Sequence, residues 1–275
     1  MTARVLHQSE SITAIDYRCT ARRHERPFAE VHTSYSIAYV RSGSFGCKAR
    51  GRAFELVRGS LLLGRPGDEY TCTHDHAEGD ECLAFMISDA LVDELGGWQT
   101  GAAPPLAQLV VLGELAQAAA SNDAELGVDE VGLSLAARFA RVVHDKTSSL
   151  MPSPRDRKRA VEIAMWIADH AHEPLDLDTL AARAGLSAYH FLRVFSAVLG
   201  VTPHQYVVRS RLLHAARLLA DAERSITDVA FDVGFADVSN FVRTFHKAAG
   251  VSPRQFRRAA RGDRKILQDR IAARP

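Results

Sequence analysis

Residues 176–258 carry one pattern written twice, and this duplication limits the architecture more than any other feature of the chain. The first copy reads L-A-A-R-A-G-L-S-A-Y-H-F-L-R-V-F from Leu180 to Phe195, then G-V-T-P-H-Q-Y to Tyr206. The second reads V-A-F-D-V-G-F-A-D-V-S-N-F-V-R-T-F from Val229 to Phe245, then G-V-S-P-R-Q-F to Phe256. Leu180, Ala181 and Gly185 match Val229, Ala230 and Gly234 at an offset of 49. Phe191, Arg193, Phe195, Gly200, Pro203 and Gln205 match Phe241, Arg243, Phe245, Gly250, Pro253 and Gln255 at an offset of 50, so one residue, in effect Ala236, is inserted at the second turn. Internal repetition sets architecture before any local feature does. Two copies are too few for a solenoid, and the pattern describes a paired module.

Each copy predicts two helices around a glycine turn. Asp176 is an N-cap, Leu180, Ala181 and Ala184 form the apolar stripe of a short helix, and Gly185 ends it in the left-handed conformation. Ser187 caps a second helix that turns Phe191, Val194, Phe195 and Val198 inward as far as Gly200. In the second copy Ser225 caps, with Asp228 as its capping-box partner. Val229, Ala230 and Val233 face inward, Gly234 turns the chain, and Asp237 caps the last helix at the position of Ser187. Its carboxylate also suits the positive end of the helix dipole. Helix, short glycine turn and helix make a helix-turn-helix. Val208, Leu212, Ala215 and Leu219 predict a connecting helix from near Pro203 to Leu219, and Val161, Ala164, Met165 and Ala168 predict another after Pro154.

Residues 158–258, above all A-F-D-V-G-F-A-D-V-S-N-F-V-R-T-F-H-K-A-A-G-V-S-P-R-Q-F-R of the second copy, resemble the double helix-turn-helix DNA-binding domain of the arabinose-regulator (AraC/XylS) transcription factor family. Residues early in the second helix of such a unit enter the major groove. Those are Ala188, Tyr189, Leu192 and Arg193 in the first unit and Val238, Ser239, Val242 and Arg243 in the second, with Asn240 beside them. The resemblance supports Tyr189, Leu192, Arg193, Ser239 and Arg243 at groove-facing positions. Arg193 and Arg243 each suit a guanine edge, worth about 1–3 kcal/mol of discrimination; phosphate contact or an ion pair within the domain is the alternative for each. The apolar Leu192 and Val238 suit thymine methyl groups. His190, Arg209, Arg211, His246, Lys247 and Arg257 are candidates for phosphate contact.

Charge follows the same division. Residues 155–275 hold 20 Lys+Arg against 13 Asp+Glu, a net +7, and residues 1–154 hold 14 against 20, a net −6. A basic half joined to an acidic half implies that one end meets a polyanion.

The acidic half reads as strands and then helices. Tyr35, Ile37 and Tyr39 alternate with Ser34, Ser36 and Ala38 as in a half-buried strand, and Leu83, Phe85 and Ile87 repeat the pattern. Turn signals recur at Ser42-Gly43-Ser44, Gly51, Arg58-Gly59-Ser60 and Arg65-Pro66-Gly67, which implies a sandwich or small barrel. After Pro104, Leu106, Leu109, Gly113 and Ala116 mark one helix. Val128, Val131, Leu135, Phe139 and Val142 mark another. The strand region is similar to the cupin-type sensor domain of the same family, in V-H-T-S-Y-S-I-A-Y-V-R-S-G and G-S-L-L-L-G-R-P-G-D-E-Y. The resemblance implies a small effector bound inside the barrel and places His32, Tyr35, Tyr39 and Tyr70 near its mouth or lumen; aromatic side chains that only fill the barrel are the alternative.

The stretch C-T-H-D-H-A-E-G-D-E-C adds Cys72, His74, His76, Glu81 and Cys82, side chains that ligate zinc or another divalent transition metal. His-x-His puts two imidazoles on one side of an extended strand, while a polar loop with self-satisfied histidines is the bland alternative. The four cysteines should be thiols or ligands before they are disulfides.

The expected chain is α+β. It comprises a cupin-like β-barrel or jelly-roll domain with trailing helices (1–150), a linker (151–157) in a Ser/Pro-rich stretch, an all-α double helix-turn-helix domain (158–261) and a basic tail (262–275). The first ten residues lack the long apolar centre of a signal peptide, and no apolar run reaches the roughly 20 residues of a membrane span. A cytoplasmic one-component transcription regulator is expected, activator or repressor, and not an enzyme. Its expected partners are double-stranded promoter DNA, RNA polymerase, a small-molecule or metal effector, and a second copy meeting it through the 129–146 helix; burial of that helix within its own domain is the alternative. The rivals are a metal-dependent cupin enzyme with a DNA-binding appendage and an adaptor that reads DNA poorly.

Overall fold

One strand, β4 (Tyr35–Ala49), belongs to both sheets of the N-terminal half. Its first part pairs antiparallel with β8 (Asp80–Ile87) and β6 (Leu61–Gly64). Its second part pairs with β5 (Arg52–Val57) and β7 (Glu69–Thr73). The register against β8 shifts between Val40 and Ser42. A bulge bends a strand and raises its twist, and here it carries β4 from one sheet into the other. The strands β1 (Thr2–Gln8) and β2 (Ile12–Cys19) extend the first sheet beyond β8, β9 (Ala102–Ala103) lies beyond β6, and β3 (Ala29–Val31) pairs with β7. The computed structural model describes residues 1–27, 29–121, 127–142, 152–220 and 224–262.

Both faces of the first sheet are covered. Ala38, Val40, Cys82 and Ala84 point into the barrel beside Phe45, Cys47 and Leu56. Ile37, Tyr39, Leu61, Leu63, Leu83 and Phe85 point the other way, into a core shared with α2 (Ala107–Ala120) and α3 (Val128–Val142). The half-buried strand expected from alternation is therefore buried on both sides from Ser36 to Arg41. Two glycines let the helices lie against the sheet's aromatic rings. A Cβ at Gly113 would stand 2.3 Å from the Tyr39 ring, and one at Gly132 would stand 2.5 Å from Phe85.

Helix α3 spends its apolar stripe inside its own chain. Val131, Leu135, Ala136 and Phe139 are buried, Phe139 edge-on to Trp98 at 5.5 Å. The sheet and α2 cover these residues, which is the burial within its own domain given as the alternative to a dimer contact. Residues 143–146 of the expected helix lie outside the described residues. The short α1 (Asp89–Leu95) precedes these helices.

The C-terminal half is helical throughout: α4 (Pro154–His170), α5 (Leu177–Ala184), α6 (Ala188–Leu199), α7 (Pro203–Ala220), α8 (Ile226–Asp232), α9 (Val238–Ala249) and α10 (Pro253–Ala260). Ser153 caps α4 with Pro154 at its first turn, so the helix starts four residues before 158 and occupies the second part of the expected linker. Residue 151 and the tail from 263 lie outside the described residues, as does 147–150 of the Ser/Pro run. Asp176, Ser187, Ser225 and Asp237 each accept the expected N-cap hydrogen bond. Gly185 and Gly234 adopt positive φ, +63° and +92°. A Cβ on Gly234 would also strike the His172 carbonyl oxygen at 2.6 Å.

Each helix-turn-helix has its own core. Phe191, Phe195, Leu180 and Tyr206 belong to the first. Phe241, Phe245, Phe256 and Val229 belong to a second, which is continuous with α2 and the sheet. Helix α7 lies between them, giving Tyr206 and Val207 to one core and Leu212, Ala215, Ala216 and Leu219 to the other. It also packs on α2, as do α9 and α10. Among the described residues no helix is long and apolar enough to cross a membrane.

Candidate nucleic-acid interface and ligand cavity

The second helix of each unit turns one face to solvent because its apolar residues follow a 3.6-residue period. On α9, Ser239, Asn240, Arg243, His246 and Lys247 are exposed, while Phe241 and Phe245 are buried. Arg243 donates weakly to Asn240 Oδ1 at 3.5 Å, and the Thr244 hydroxyl donates to the same oxygen at 3.3 Å. Val238 and Val242 are half-buried against the core beneath, so the polar residues carry most of this face. On α6, His190 and Arg193 are exposed, and Ala188 and Leu192 are half-buried. Tyr189 lies in α6, with its side chain outside the described residues.

The two helix starts are held by their caps. Asp237 accepts from the Asn240 amide at 2.6 Å, and Ser187 accepts from His190 at 3.3 Å. Loss of such a cap costs about 1 kcal/mol. Asp237→Ala is therefore expected to fray the first turn of α9, read as faster amide exchange at Asn240 with α6 unchanged.

One of the expected phosphate contacts, Arg211, is used inside the protein. Arg211 donates through Nε to the Ala171 carbonyl at 2.6 Å and through Nη2 to the Glu173 carbonyl at 2.9 Å, closing the end of α4. Arg209 is half-buried, and desolvation lowers its pKa to about 10. Both sit on α7, whose sides are covered by the two cores. Arg257 is half-buried on α10.

The barrel wall lines an open cavity of about 410 Å³. Polar groups come from Tyr17, Glu30, His32 and Tyr70, and apolar ones from Phe45, Leu62, Ala84 and Met86. His32 stacks on Tyr70 at 4.1 Å, and the Tyr70 hydroxyl donates to Glu30. Burial lowers the pKa of His32 and, together with Glu30, raises that of Tyr70, so both side chains are neutral near pH 7. Of the four effector residues expected from sequence, His32 and Tyr70 line this cavity and Tyr35 and Tyr39 do not. Strand parity is the reason: Ser36 and Ala38 take the inner side of β4, which sends Tyr35 to the edge of Trp98 (5.3 Å) and Tyr39 to the helices.

The five expected metal ligands do not form one group among the described residues. His76 faces Glu55 at 3.6 Å, and Glu81 faces Arg18 and Arg41 at 3.5 and 3.8 Å. Cys72 pairs across the ladder with Cys47. His74 instead meets Asp80 at 2.9 Å, and Cys82 Sγ lies 3.4 Å from the other Asp80 oxygen. The strand ends after Thr73, so the alternation that would align His74 with His76 no longer applies. The imidazole, carboxylate and thiol that do converge are those of His74, Asp80 and Cys19. Cys19 and Asp80 escaped the sequence reading, and the signal that joins them is the antiparallel register of β2 on β8, where Cys19 stands opposite Asp80.

A buried polar cluster joins the two halves, and it too lay outside the sequence reading. Glu114 on α2 has a fully buried side chain. It accepts from the Tyr39 hydroxyl of β4 at 2.7 Å, from Arg217 Nη2 of α7 at 2.9 Å and from Arg217 Nε. One carboxylate thus touches the barrel wall and the helix that carries both helix-turn-helix units.

Residues 180–259 match the family model described as a helix-turn-helix domain. The melibiose operon regulatory protein of Escherichia coli (strain K12) is 30% identical over 151 residues, covering 52% of this chain and 50% of that protein. YbfI of Bacillus subtilis (strain 168), named as an uncharacterized HTH-type transcriptional regulator, is 30% identical over 222 residues, 76% of this chain and 79% of that protein. The chain thus spans about half the length of the melibiose regulator and over three quarters of the second relative. The crystal structure of the DNA-binding domain of AdpA, the global transcriptional factor, in complex with a target DNA is 36% identical, covers 37% of this chain and 91% of that one, and superposes with a TM-score of 0.36.

Proposed function

The chain belongs to the arabinose-regulator (AraC/XylS) family of helix-turn-helix transcription regulators, and from that premise we propose that it binds promoter DNA sequence-specifically under the control of a small effector held in its barrel. The observation that carries this is the pair of separately cored units, each presenting an exposed second helix, joined by the 18-residue α7. At 1.5 Å per residue α7 is about 27 Å long. A rigid spacer of this kind holds two heads for successive major grooves on one face of the duplex, about 34–36 Å apart. Double-stranded promoter DNA and RNA polymerase are its partners on this reading, with activation the sense of control.

The effector is a small molecule that presents hydrogen-bonding groups to Glu30, His32 and Tyr70 and an apolar body to Phe45, Leu62 and Met86. Ala38 lines the cavity and Tyr39, its neighbour on β4, bonds Glu114 and through it Arg217. A shift of β4 on ligand binding therefore reaches α7 through Tyr39 and Glu114. His76 facing Glu55, and Glu81 facing Arg18 and Arg41, support a regulatory role over a cupin enzyme built on His74, His76 and Glu81.

Selection from a random DNA pool with the full chain tests the reading. A defined site should be recovered, and Arg193→Ala and Arg243→Ala should each relax a different position of it, by about 1–3 kcal/mol of discrimination. Uniform weakening across all sequences, with a smaller salt dependence, would make these residues phosphate anchors. Recovery of no site above the electrostatic background would overturn the proposal.

A further inference from the structure

We infer that Cys19, His74 and Asp80 form a binding site for a divalent transition metal of the zinc class at the wall of the barrel cavity. The inference builds on the reading of the barrel as the effector domain and gives one effector its chemistry. One sulfur, one imidazole nitrogen and one carboxylate oxygen lie within 4.8 Å of one another. Around a tetrahedral ion with bonds of about 2.0–2.3 Å, ligand atoms sit about 3.3–3.8 Å apart, so the trio needs only a small contraction. Sulfur with imidazole and carboxylate selects zinc and its first-row neighbours over magnesium or calcium, which take oxygen alone.

The backbone holds these residues together independently of any ion. The register of β2 on β8 sets Cys19 opposite Asp80. The loop after Cys19 is tied to the loop after His74 by three hydrogen bonds: the His24 amide to the His74 carbonyl at 3.0 Å, the Gly79 amide to the Ala21 carbonyl at 3.0 Å, and Arg23 Nη2 to the His76 carbonyl at 2.6 Å. Two glycines permit the crowding. A Cβ on Gly79 would meet the Cys19 carbonyl oxygen at 2.4 Å, and one on Gly43 would meet the Gly79 oxygen at 2.5 Å and the Asp80 Cα at 2.9 Å. His74 and Cys82 are almost wholly buried, and Cys82 Sγ at 3.4 Å steadies the second Asp80 oxygen.

Cys19, His74 and Asp80 all line the cavity that also holds Tyr70 and His32. Three protein ligands and a position open to a cavity are the arrangement of an exchangeable site, whereas structural zinc sites are closed by four. The metal can therefore act as the signal itself or accept an oxygen or nitrogen of an organic effector.

Titration of the reduced, full-length chain with Co²⁺, followed by competition with Zn²⁺, tests the assignment. One equivalent should bind, with a thiolate-to-cobalt charge-transfer band in the near ultraviolet. Cys19→Ser should abolish that band, and Cys19→Ser and Asp80→Asn should each weaken Zn²⁺ binding by at least about 100-fold. His76→Ala, whose ring faces Glu55 outside the trio, should keep both band and affinity, and circular dichroism should show each variant folded. Absence of bound cobalt in the folded chain, a band that survives Cys19→Ser, or loss of metal on His76→Ala would overturn the inference. DNA selection with metal-stripped protein separates this from the proposed function: a recovered site without metal uptake removes the metal site alone, and metal uptake without a recovered site removes the DNA-binding reading alone.

Discussion

Arg217→Met is expected to destabilise the protein by about 3–5 kcal/mol, the cost of breaking a buried ion pair by removing one partner. Methionine keeps an apolar stem of similar reach against α2, so packing changes little. What changes is Glu114, whose side chain is shielded completely from water. With Arg217 gone, only the Tyr39 hydroxyl remains of the hydrogen bonds described for this carboxylate. Adding Glu114→Gln in the same chain should recover most of the loss, because a neutral amide still accepts from Tyr39 and no charge is left buried. Urea unfolding followed by the fluorescence of Trp98 in the barrel half and Trp166 in α4 measures both variants. A loss below 1 kcal/mol for the single substitution would mean that water reaches Glu114. The double variant has a second use. With its stability restored but the charged link missing, it should bind DNA while responding less to effector, if β4 signals to α7 through this carboxylate.

Phe245→Ala is expected to cost about 3–5 kcal/mol, the range for truncating a buried phenylalanine, and to damage one head more than the other. Phe245 is fully buried and packs against Phe241 at 5.7 Å and edge-on to Phe256 at 5.3 Å. It supports α9 from below, so its loss should release the exposed face of Ser239, Asn240 and Arg243. Phe191, Phe195 and Tyr206 form the equivalent support in a separate core. Amide exchange should therefore rise across α8–α10 while α5 and α6 stay protected, and the selected DNA site should lose information at one end only. Equal loss of protection in both units would show that the heads unfold together.

The helical half was legible because its signals are local. A serine or aspartate three residues before an amide makes a cap, a glycine with positive φ makes a stop, and phenylalanines four residues apart make a buried stripe; Ser187, Gly185, Phe191 and Phe195 each took the place expected of them. Family resemblance extended this reading to DNA. Helix α7 was also legible, but its use was not. Periodicity marked one apolar face, whereas the structure buries residues on several sides of it and turns Arg211 back onto the end of α4. A basic residue on a helix is equally suited to a phosphate or a carbonyl, and only the neighbour decides.

The barrel shows the same limit more sharply. Alternation in Tyr35–Tyr39 established that β4 has two faces, but parity alone does not say which one meets a cavity when both are buried. Tyr35 and Tyr39 therefore fell on the helix side, and Ser36 and Ala38 on the inner side. His74 and His76 separate because the strand ends between them and the preceding threonine.

By itself, then, the sequence determined the duplicated helix-turn-helix scaffold, its caps and turns, and a sheet-rich acidic half before it. These depend on residues within one or two turns of each other. Tertiary structure alone decided what meets across the fold: Cys19 with Asp80 and His74 by strand register, and Tyr39 with Glu114 and Arg217, the last two 103 residues apart. Side chains so distant share no periodicity, and only the packing of α2 between the sheet and α7 brings them within hydrogen-bond reach.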